Sequence, residues 1–236
     1  MQAHLLHGQM LRYASLVAPD QSEEHSRRAA IERTVSCVRQ HWPQAQVLVI
    51  GSTATSLTLP SSDIDLVAVL SAYPTEKQAQ LAQLRPLGRK LWRLAASGSL
   101  QVIPARVPII SWTDSASGLQ LDLSVNAPSG LHNSEVVRRV LTWCPMLRPL
   151  LVVLKSFLLQ HDLHKTRDGG VGSYLLFVMA HSIAQRRISQ GGDCASAGAL
   201  LLDFLQTYGA LPNLHHISDV TAASPLLAKR FSCSSV

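Results

Sequence analysis

Residues 49–70 read VIGSTATSLTLPSSDIDLVAVL and combine two apolar runs with a polar loop between them. An apolar run ends in a Gly-Ser pair, a loop rich in serine and threonine follows, and a second apolar run opens with two aspartates. Residues two apart on a strand point to the same face, so Asp63 and Asp65 share one face while their apolar neighbours share the other. The pattern predicts two strands joined by a polar loop, the second with two carboxylates on one side.

A later strand adds a third carboxylate. Residues 118–125 read GLQLDLSV and alternate, with leucine and valine on one face and polar residues, Asp122 among them, on the other. Neighbouring strands could bring Asp63, Asp65 and Asp122 close together, where like charges repel unless a cation lies between them. Mg²⁺ prefers such oxygen ligands, and two ions held this way support nucleotidyl transfer. The alternative, a solvated strand edge or a salt-bridged pair, is the commoner origin of a D-x-D motif in a strand.

The Gly-Ser pair bears on that choice. Gly51 lies twelve residues before Asp63, at the end of the preceding predicted strand. There the backbone N–H groups and the hydroxyl of Ser52 could hold a triphosphate beside the metals. The sequence has neither a P-loop motif nor a dinucleotide-binding G-x-G-x-x-G motif, which excludes those two kinds of phosphate site.

The rest of the chain divides into two kinds of architecture near residue 130. Before it, helical periodicity and apolar runs alternate; after it, we expect only helices. Helices are predicted over residues 22–42, 75–96, 134–143, 147–161, 173–187 and 197–208, and further strands over 105–110 and 118–125.

Composition limits the class of protein. The chain has 236 residues, 47% of them hydrophobic and 15% charged, which excludes a disordered chain. A net charge of +6 favours a polyanionic partner without identifying one. The four cysteines form no C-x-x-C motif, so we expect reduced thiols and no structural zinc. No apolar run approaches the roughly 20 residues needed to span a bilayer, and we expect a soluble intracellular protein with no membrane partner.

The arrangement of Gly-Ser, spacer, Asp-x-Asp and a later strand aspartate resembles the DNA polymerase β-like nucleotidyltransferases. Over residues 4–210 the chain is similar, segment by segment and in the same order, to the noncanonical poly(A) polymerases of the nuclear RNA-surveillance type. The segments that carry this resemblance are LHGQMLRYASLVAP, HWPQAQVLVIGSTATSLTLPSSDIDLVAV, ARVPIISWTDSASGLQLDLSVNAPSG, PLLVVLKSFLLQHDLHKTRDGGVGSYLLFVMAHSIAQ and LLLDFLQTYG.

The resemblance implies an α+β fold, in which a polymerase β-like nucleotidyltransferase domain with a mixed sheet and helices is inserted into an all-helical poly(A) polymerase central domain. It predicts an N-terminal helical segment, residues 1–40, that packs with the central domain. The catalytic domain would then span residues 41–130, and the helical central domain residues 131–236.

The resemblance also implies site residues. The metal-binding and catalytic carboxylates fall on Asp63, Asp65 and Asp122, and the triphosphate-binding pair falls on Gly51 and Ser52. Further nucleotide contacts are implied at four positions in the helical part: Asn133, Lys155, Ser173 and Tyr174.

Each of these four positions also has a structural interpretation. Lys155 lies among apolar helix positions, and a lysine there can also extend its charged end into water. Ser173 and Tyr174 follow a glycine-rich turn, where the serine would contact triphosphate and the tyrosine would stack on the base. The alternatives are a helix N-cap for Ser173 and a core position for Tyr174. Asn133, which the resemblance places at the nucleoside, is alternatively the N-cap of the next helix.

The implied activity is template-independent addition of AMP from ATP to RNA 3′ ends, with two Mg²⁺ or Mn²⁺ ions. By resemblance, the partners are RNA 3′ ends, the NTP, an RNA-binding zinc-knuckle protein and an RNA helicase. The implied location is the nucleus or nucleolus, with the cytoplasm as the alternative. The final stretch TAASPLLAKRFSCSSV lacks the family's nucleotide-recognition loop, so uridylyl transfer and a non-catalytic scaffold that binds RNA or polymerase partners remain open.

Overall fold

The computed structural model describes residues 2–60 and 62–209, and these residues belong to two compact units. One unit comprises the described residues of 18–136, and the other comprises residues 2–17 together with residues 137–209. The final stretch TAASPLLAKRFSCSSV, in which we found no nucleotide-recognition loop, lies outside the described residues.

A five-stranded mixed sheet organises the unit of residues 18–136. The strands are β1 (Gln46–Ile50), β2 (Ile64–Val69), β3 (Gln101–Ile103), β4 (Ile109–Thr113) and β5 (Gln120–Val125). Their order is β1-β2-β5-β4-β3, in which β2 and β5 run parallel and the other neighbours run antiparallel. The predicted mixed sheet with helices is therefore confirmed.

One face of the sheet packs against two helices, α2 (Gln21–His41) and α4 (Lys77–Leu91). Alternate apolar residues of β2 and β5 are buried there. They pack with Trp112 of β4, Val38 of α2 and Leu87 of α4, three side chains that are fully inaccessible to solvent. Removing this much apolar surface from water is the main stabilising term of the unit. The alternating polar positions of the strands are left for the opposite face.

The division between the units differs from the predicted boundaries at residues 40 and 130. The structure divides the chain after residues 17 and 136. Residues 18–40 group with the sheet because Ala30 and Val38 of α2 belong to its buried cluster. Among the predicted N-terminal residues, only those up to 17 join the later helices.

The second unit is helical in its described part. It contains α1 (Gln2–Leu16), α6 (Leu147–Gln160), α7 (Ser173–Ser189), α8 (Ala197–Tyr208) and the end of α5 (Pro128–Trp143). Helices α1 and α8 approach closely at Gly198, where an added Cβ would lie 2.3 Å from the carbonyl oxygen of Ala3. The Nδ1 atom of His7 accepts a hydrogen bond from the Ala197 N–H at 3.2 Å, which satisfies an amide at the start of α8.

Three local predictions need correction. The predicted strand at 105–110 forms only from Ile109, and the short β3 was missed. The polar loop after β1 begins with a short helical turn, α3 (Gly51–Thr55). Helix α5 begins at Pro128 rather than residue 134, because proline suits the first helical position. In the described part of the chain, none of the helices has the length and apolar character of a membrane span.

Candidate active site

Strand register places two of the predicted carboxylates side by side. Asp65 of β2 is paired with Asp122 of β5, and Asp122 is paired with Ser111 of β4. Directly paired residues point to the same face of a sheet, so these three side chains form one row across neighbouring strands. The face opposite the buried core therefore carries the candidate site.

Asp63 joins this row from the residue just before β2. The residue as a whole is exposed, but partial desolvation of its carboxyl group raises its pKa. The negative charge of Asp122 raises the pKa of Asp63 further, and the charge of Arg27 opposes both effects. The contribution of Asp122, which is smaller than that of desolvation, means that the two carboxylates lie within electrostatic reach of each other.

Hydrogen bonds hold Asp122 from the neighbouring strand. Its Oδ1 atom accepts a hydrogen bond from Ser111 Oγ at 2.6 Å. Ser111 Oγ in turn accepts one from Gln120 Nε2 at 2.7 Å, and Gln120 Oε1 accepts one from Thr113 Oγ1 at 3.1 Å. Residue alternation places Gln120 on the face of Asp122, but the contact with Ser111 depends on the pairing of β4 with β5.

Gly51 lies directly against the carboxylate of Asp65. Its φ is +66°, and an added Cβ would lie 2.2 Å from Asp65 Oδ2. Its N–H donates to Ser134 Oγ at 3.0 Å, and Ser134 Oγ donates to the carbonyl oxygen of Gly130 at 2.9 Å. Glycine is thus needed at this position both for the positive φ and for the close approach of the backbone to Asp65. The Gly51 N–H, which we predicted to contact phosphate, donates its hydrogen bond to Ser134 instead.

Ser52, the other half of the predicted pair, is the second residue of α3 and is half-buried. The Thr55 side chain closes this turn by donating to the carbonyl oxygen of Gly51 at 3.0 Å. The Gly-Ser pair therefore begins a compact turn at the end of β1, beside the strand that carries Asp65.

Arg27 of α2 supports the loop that leads into Asp63, and the sequence analysis missed it. It is 4% exposed, and it donates to the carbonyl oxygen of Ser62 at 2.9 Å and to that of Leu59 at 3.4 Å. Its charge is balanced by Glu23, one turn earlier in the helix, at 2.9 Å. The helix predicted over residues 22–42 contains this arginine, but the loop that it reaches could not be identified from the sequence.

The predicted nucleotide contacts of the helical unit lie on two helices. Lys155 is half-buried on α6. Ser173 is exposed and is the first residue of α7, whose N-cap is Gly172, so the N-cap alternative for Ser173 is wrong. Tyr174 is half-buried, with its ring centroid 5.8 Å from that of Phe177.

Asn133 lies inside α5, because that helix begins five residues earlier, at Pro128. The N-cap alternative for Asn133 is therefore wrong as well. The side chain is half-buried. Its predicted contact with the nucleoside stays a prediction, as do the roles of Lys155, Ser173 and Tyr174.

The carboxylate row suits a divalent cation by its chemistry. Its donors are carboxylate oxygens, the ligands that Mg²⁺ prefers. The pKa of Asp63 is raised first by desolvation and then by the charge of Asp122, and a cation would relieve this second contribution. Within residues 2–60 and 62–209, however, no three acidic, histidine or cysteine side chains are already arranged as a metal-binding cluster. The structure thus gathers the donors along one row without forming a complete ligand set.

Comparison with known proteins identifies relatives of the whole arrangement. Residues 6–141 match the family model of the mitochondrial-like poly(A) RNA polymerase central palm domain. Poly(A) RNA polymerase cid14 of Schizosaccharomyces pombe is 32% identical over 212 residues, which are 88% of this chain and 31% of the relative. The inactive non-canonical poly(A) RNA polymerase protein Trf4-2 of Drosophila melanogaster is 30% identical over 219 residues, which are 87% of this chain and 51% of the relative.

A solved structure shows the same fold. The polymerase core of TRAMP, an RNA surveillance complex, superposes with a TM-score of 0.77 at 28% identity, covering 89% of this chain and 66% of that one. The chain spans about a third of the length of several curated relatives that it matches, such as cid14 at 31%.

Proposed function

We propose that this chain, which belongs to the mitochondrial-like poly(A) RNA polymerase central palm domain family, transfers nucleotides to the 3′ ends of RNA. The observation that carries the proposal is the row in which Asp65 and Asp122 are paired on adjacent strands, with Asp63 close enough for its pKa to respond to Asp122. Carboxylates that converge in this way suit nucleotidyl transfer assisted by divalent ions.

In this proposal Asp63, Asp65 and Asp122 hold two Mg²⁺ or Mn²⁺ ions. Bound divalent ions would stabilise the charge that develops on the reacting phosphate. Asp122 would accept the proton of the RNA 3′-hydroxyl as the hydroxyl oxygen bonds to the α-phosphorus of the nucleotide. The bond from that phosphorus to the bridging oxygen breaks, and pyrophosphate leaves with both electrons of the bond.

The finer part of the proposal concerns the nucleotide. We propose ATP as the substrate, supported by the names of relatives such as poly(A) RNA polymerase cid14. Gly51, Ser52, Lys155 and Ser173 would contact the triphosphate, and Tyr174 would stack on the base. The likeness to the polymerase core of an RNA surveillance complex supports a role in RNA surveillance. We propose a nuclear location for this role, with an RNA-binding zinc-knuckle protein and an RNA helicase as partners.

The test is extension of a labelled oligo(A) by the purified chain with Mg²⁺ and each NTP separately. A ladder with ATP that disappears in Asp65→Ala supports poly(A) polymerase activity. Extension products with UTP and none with ATP would show that the activity is uridylyl transfer and not adenylyl transfer. Extension that survives Asp65→Ala would contradict the assignment of the site.

A second candidate is a non-catalytic scaffold that binds RNA or a polymerase partner. The inactive relative Trf4-2, which is 30% identical over 87% of this chain, favours it. The same experiment separates the candidates if RNA and nucleotide binding are measured beside extension. Binding with no product from any of the four nucleotides would support the scaffold.

A further inference from the structure

A directed hydrogen-bond chain ends on one oxygen of Asp122. It runs from Thr113 Oγ1 to Gln120 Oε1 at 3.1 Å, from Gln120 Nε2 to Ser111 Oγ at 2.7 Å, and from Ser111 Oγ to Asp122 Oδ1 at 2.6 Å. The final distance is typical of a hydroxyl that donates to a carboxylate. The chain crosses between β4 and β5 in register, so the backbone fixes the positions of its members.

The direction of donation follows from the chemistry of the four groups. An ionised carboxylate can only accept, so Ser111 must give its single proton to Asp122. The hydroxyl oxygen of Ser111 then has to accept, which turns the amide nitrogen of Gln120 toward it. The amide oxygen of Gln120 is left facing Thr113, whose hydroxyl donates. A flipped Gln120 amide would instead place its oxygen against Ser111 Oγ and compete with Asp122 for the proton of Ser111.

Burial does not force the members of this hydrogen-bond chain to pair with one another. Ser111, Gln120 and Asp122 are all half-buried, so water could satisfy their polar atoms. Ser124 is the contrasting case on the same face of β5, because it is 8% exposed and donates to the backbone carbonyl of Leu66 at 3.2 Å. Ser124 therefore satisfies buried backbone, whereas Ser111 orients an acidic side chain.

We infer that Ser111 is a positioning residue that holds Oδ1 of Asp122 and so assigns Oδ2 to the reaction. This inference rests on the function proposed above, because it supplies the orientation that Asp122 needs there. Residues that orient the ligands of a metal act in this way, and their loss typically lowers metal affinity or activity about 10–100-fold.

The experiment compares Ser111→Ala with Ser111→Thr, which keeps the hydroxyl, and with Ser124→Ala as the matched control in the whole chain. Mn²⁺ binding is measured by electron paramagnetic resonance with the metal alone. The Asp122 side-chain carboxyl resonance is followed by ¹³C NMR, with Asp122→Asn for assignment. Extension kinetics give kcat and the KM for ATP.

We expect Ser111→Ala to weaken Mn²⁺ binding and lower kcat about tenfold or more, with KM for ATP changed less than about twofold. It should also move the Asp122 resonance. Ser111→Thr should keep Mn²⁺ affinity and kcat within about threefold of the unmodified chain and return the Asp122 resonance to its original position. Ser124→Ala should leave that resonance in place.

Ser111→Ala that matches Ser124→Ala in both the resonance and Mn²⁺ affinity would overturn the inference, whether or not the chain extends RNA. A moved resonance with weakened Mn²⁺ binding, in a chain that extends no RNA, would support the inference and contradict the proposed function. Activity in Ser111→Ala equal to that of the unmodified chain would overturn the inference alone.

Discussion

The sheet unit and the helical unit present their predicted site residues in different ways. In the sheet, pairing of β2 with β5 sets Asp65 beside Asp122, although the two residues are far apart in the sequence. In the helical unit, Lys155 and Tyr174 lie on separate helices, α6 and α7. Strand register dictates both neighbour and direction, whereas a helix fixes only neighbours three or four residues apart.

The two units also differ in the charge state they favour. The sheet unit holds like charges together, and the pKa of Asp63 is raised by desolvation and by Asp122. The helical unit buries His181, which is 2% exposed, and burial lowers the pKa of its imidazole to about 4. His181 stacks on Phe177, with ring centroids 5.9 Å apart. Mild acid should therefore relieve repulsion in the sheet unit and destabilise the helical unit.

The largest expected effect is at the carboxylate row. Asp63→Ala and Asp65→Ala should each lower RNA extension by at least about 100-fold, since ion-assisted charge stabilisation is worth several kcal/mol. Asp63→Ala should not lower the melting temperature at pH 7. The raised pKa of Asp63 means that its ionised form opposes folding above that pKa, and this penalty disappears as pH falls below it. Extension assays and thermal melts at pH 7 and below pH 4 check both parts.

Asp114 is the matched control for this prediction. It is 2% exposed, pairs with Arg33 at 2.7 Å, and accepts a hydrogen bond from Ser117 Oγ at 2.7 Å. Desolvation opposes its ionisation, but the bonds from Ser117 and Arg33 outweigh it and lower its pKa. Asp114→Ala should lower the melting temperature and spare extension below it. Loss of activity at Asp63 or Asp65 only through unfolding would remove them from the site.

The next largest effect is expected at Gly51, whose backbone lies against the carboxylate of Asp65. Gly51→Ala should destabilise the chain by about 2–5 kcal/mol, combining about 1–2 kcal/mol for positive φ with about 1–3 kcal/mol for crowding Asp65. Gly118 has a similar φ of +71° but nothing within 4 Å of an added Cβ. Gly118→Ala should therefore lose only the conformational part. Equal losses in urea unfolding would show that Asp65 moves aside at no cost.

Acid unfolding sharpens the contrast between the units. The pKa of His181 falls from its usual 6.5 to about 4, so its neutral form stabilises the folded state fully above pH 6.5. That contribution, about 3 kcal/mol at 1.36 kcal/mol per pKa unit, is lost as pH falls from 6.5 toward 4. Urea midpoints should fall across this window in the unmodified chain and stay flatter in His181→Leu. Parallel curves for the two proteins would contradict the assignment to His181.

The smallest effect is expected at Tyr174, a proposed nucleotide contact of the helical unit. Stacking of an aromatic ring on a base is worth about 1–3 kcal/mol, so Tyr174→Ala should raise the KM for ATP by roughly one to two decades. Tyr174→Phe keeps the ring and should be mild. Equal damage from both changes would favour a structural hydrogen bond of the hydroxyl over stacking, and would remove Tyr174 from the proposed nucleotide contacts.

Much of the fold was determined by local sequence pattern. The alternation around Asp122 and the apolar runs beside Asp63 predicted strands β5 and β2, because side-chain direction repeats every two residues along a strand. The helical periodicity after residue 130 predicted α6, α7 and α8 for the same kind of reason. These features depend on residues only a few positions apart, so they are legible without the tertiary structure.

Tertiary structure alone decided what stands beside the carboxylates. Ser111 reaches Asp122 because β4 pairs with β5, Ser134 reaches the Gly51 amide from α5, and Arg27 reaches the loop before Asp63 from α2. Strand order and helix docking join residues far apart in sequence, and their energies come from burying a shared core. The local sequence pattern was therefore enough to identify the acidic residues. Only the packed chain determined which oxygen of Asp122 accepts a hydrogen bond and which residue donates it.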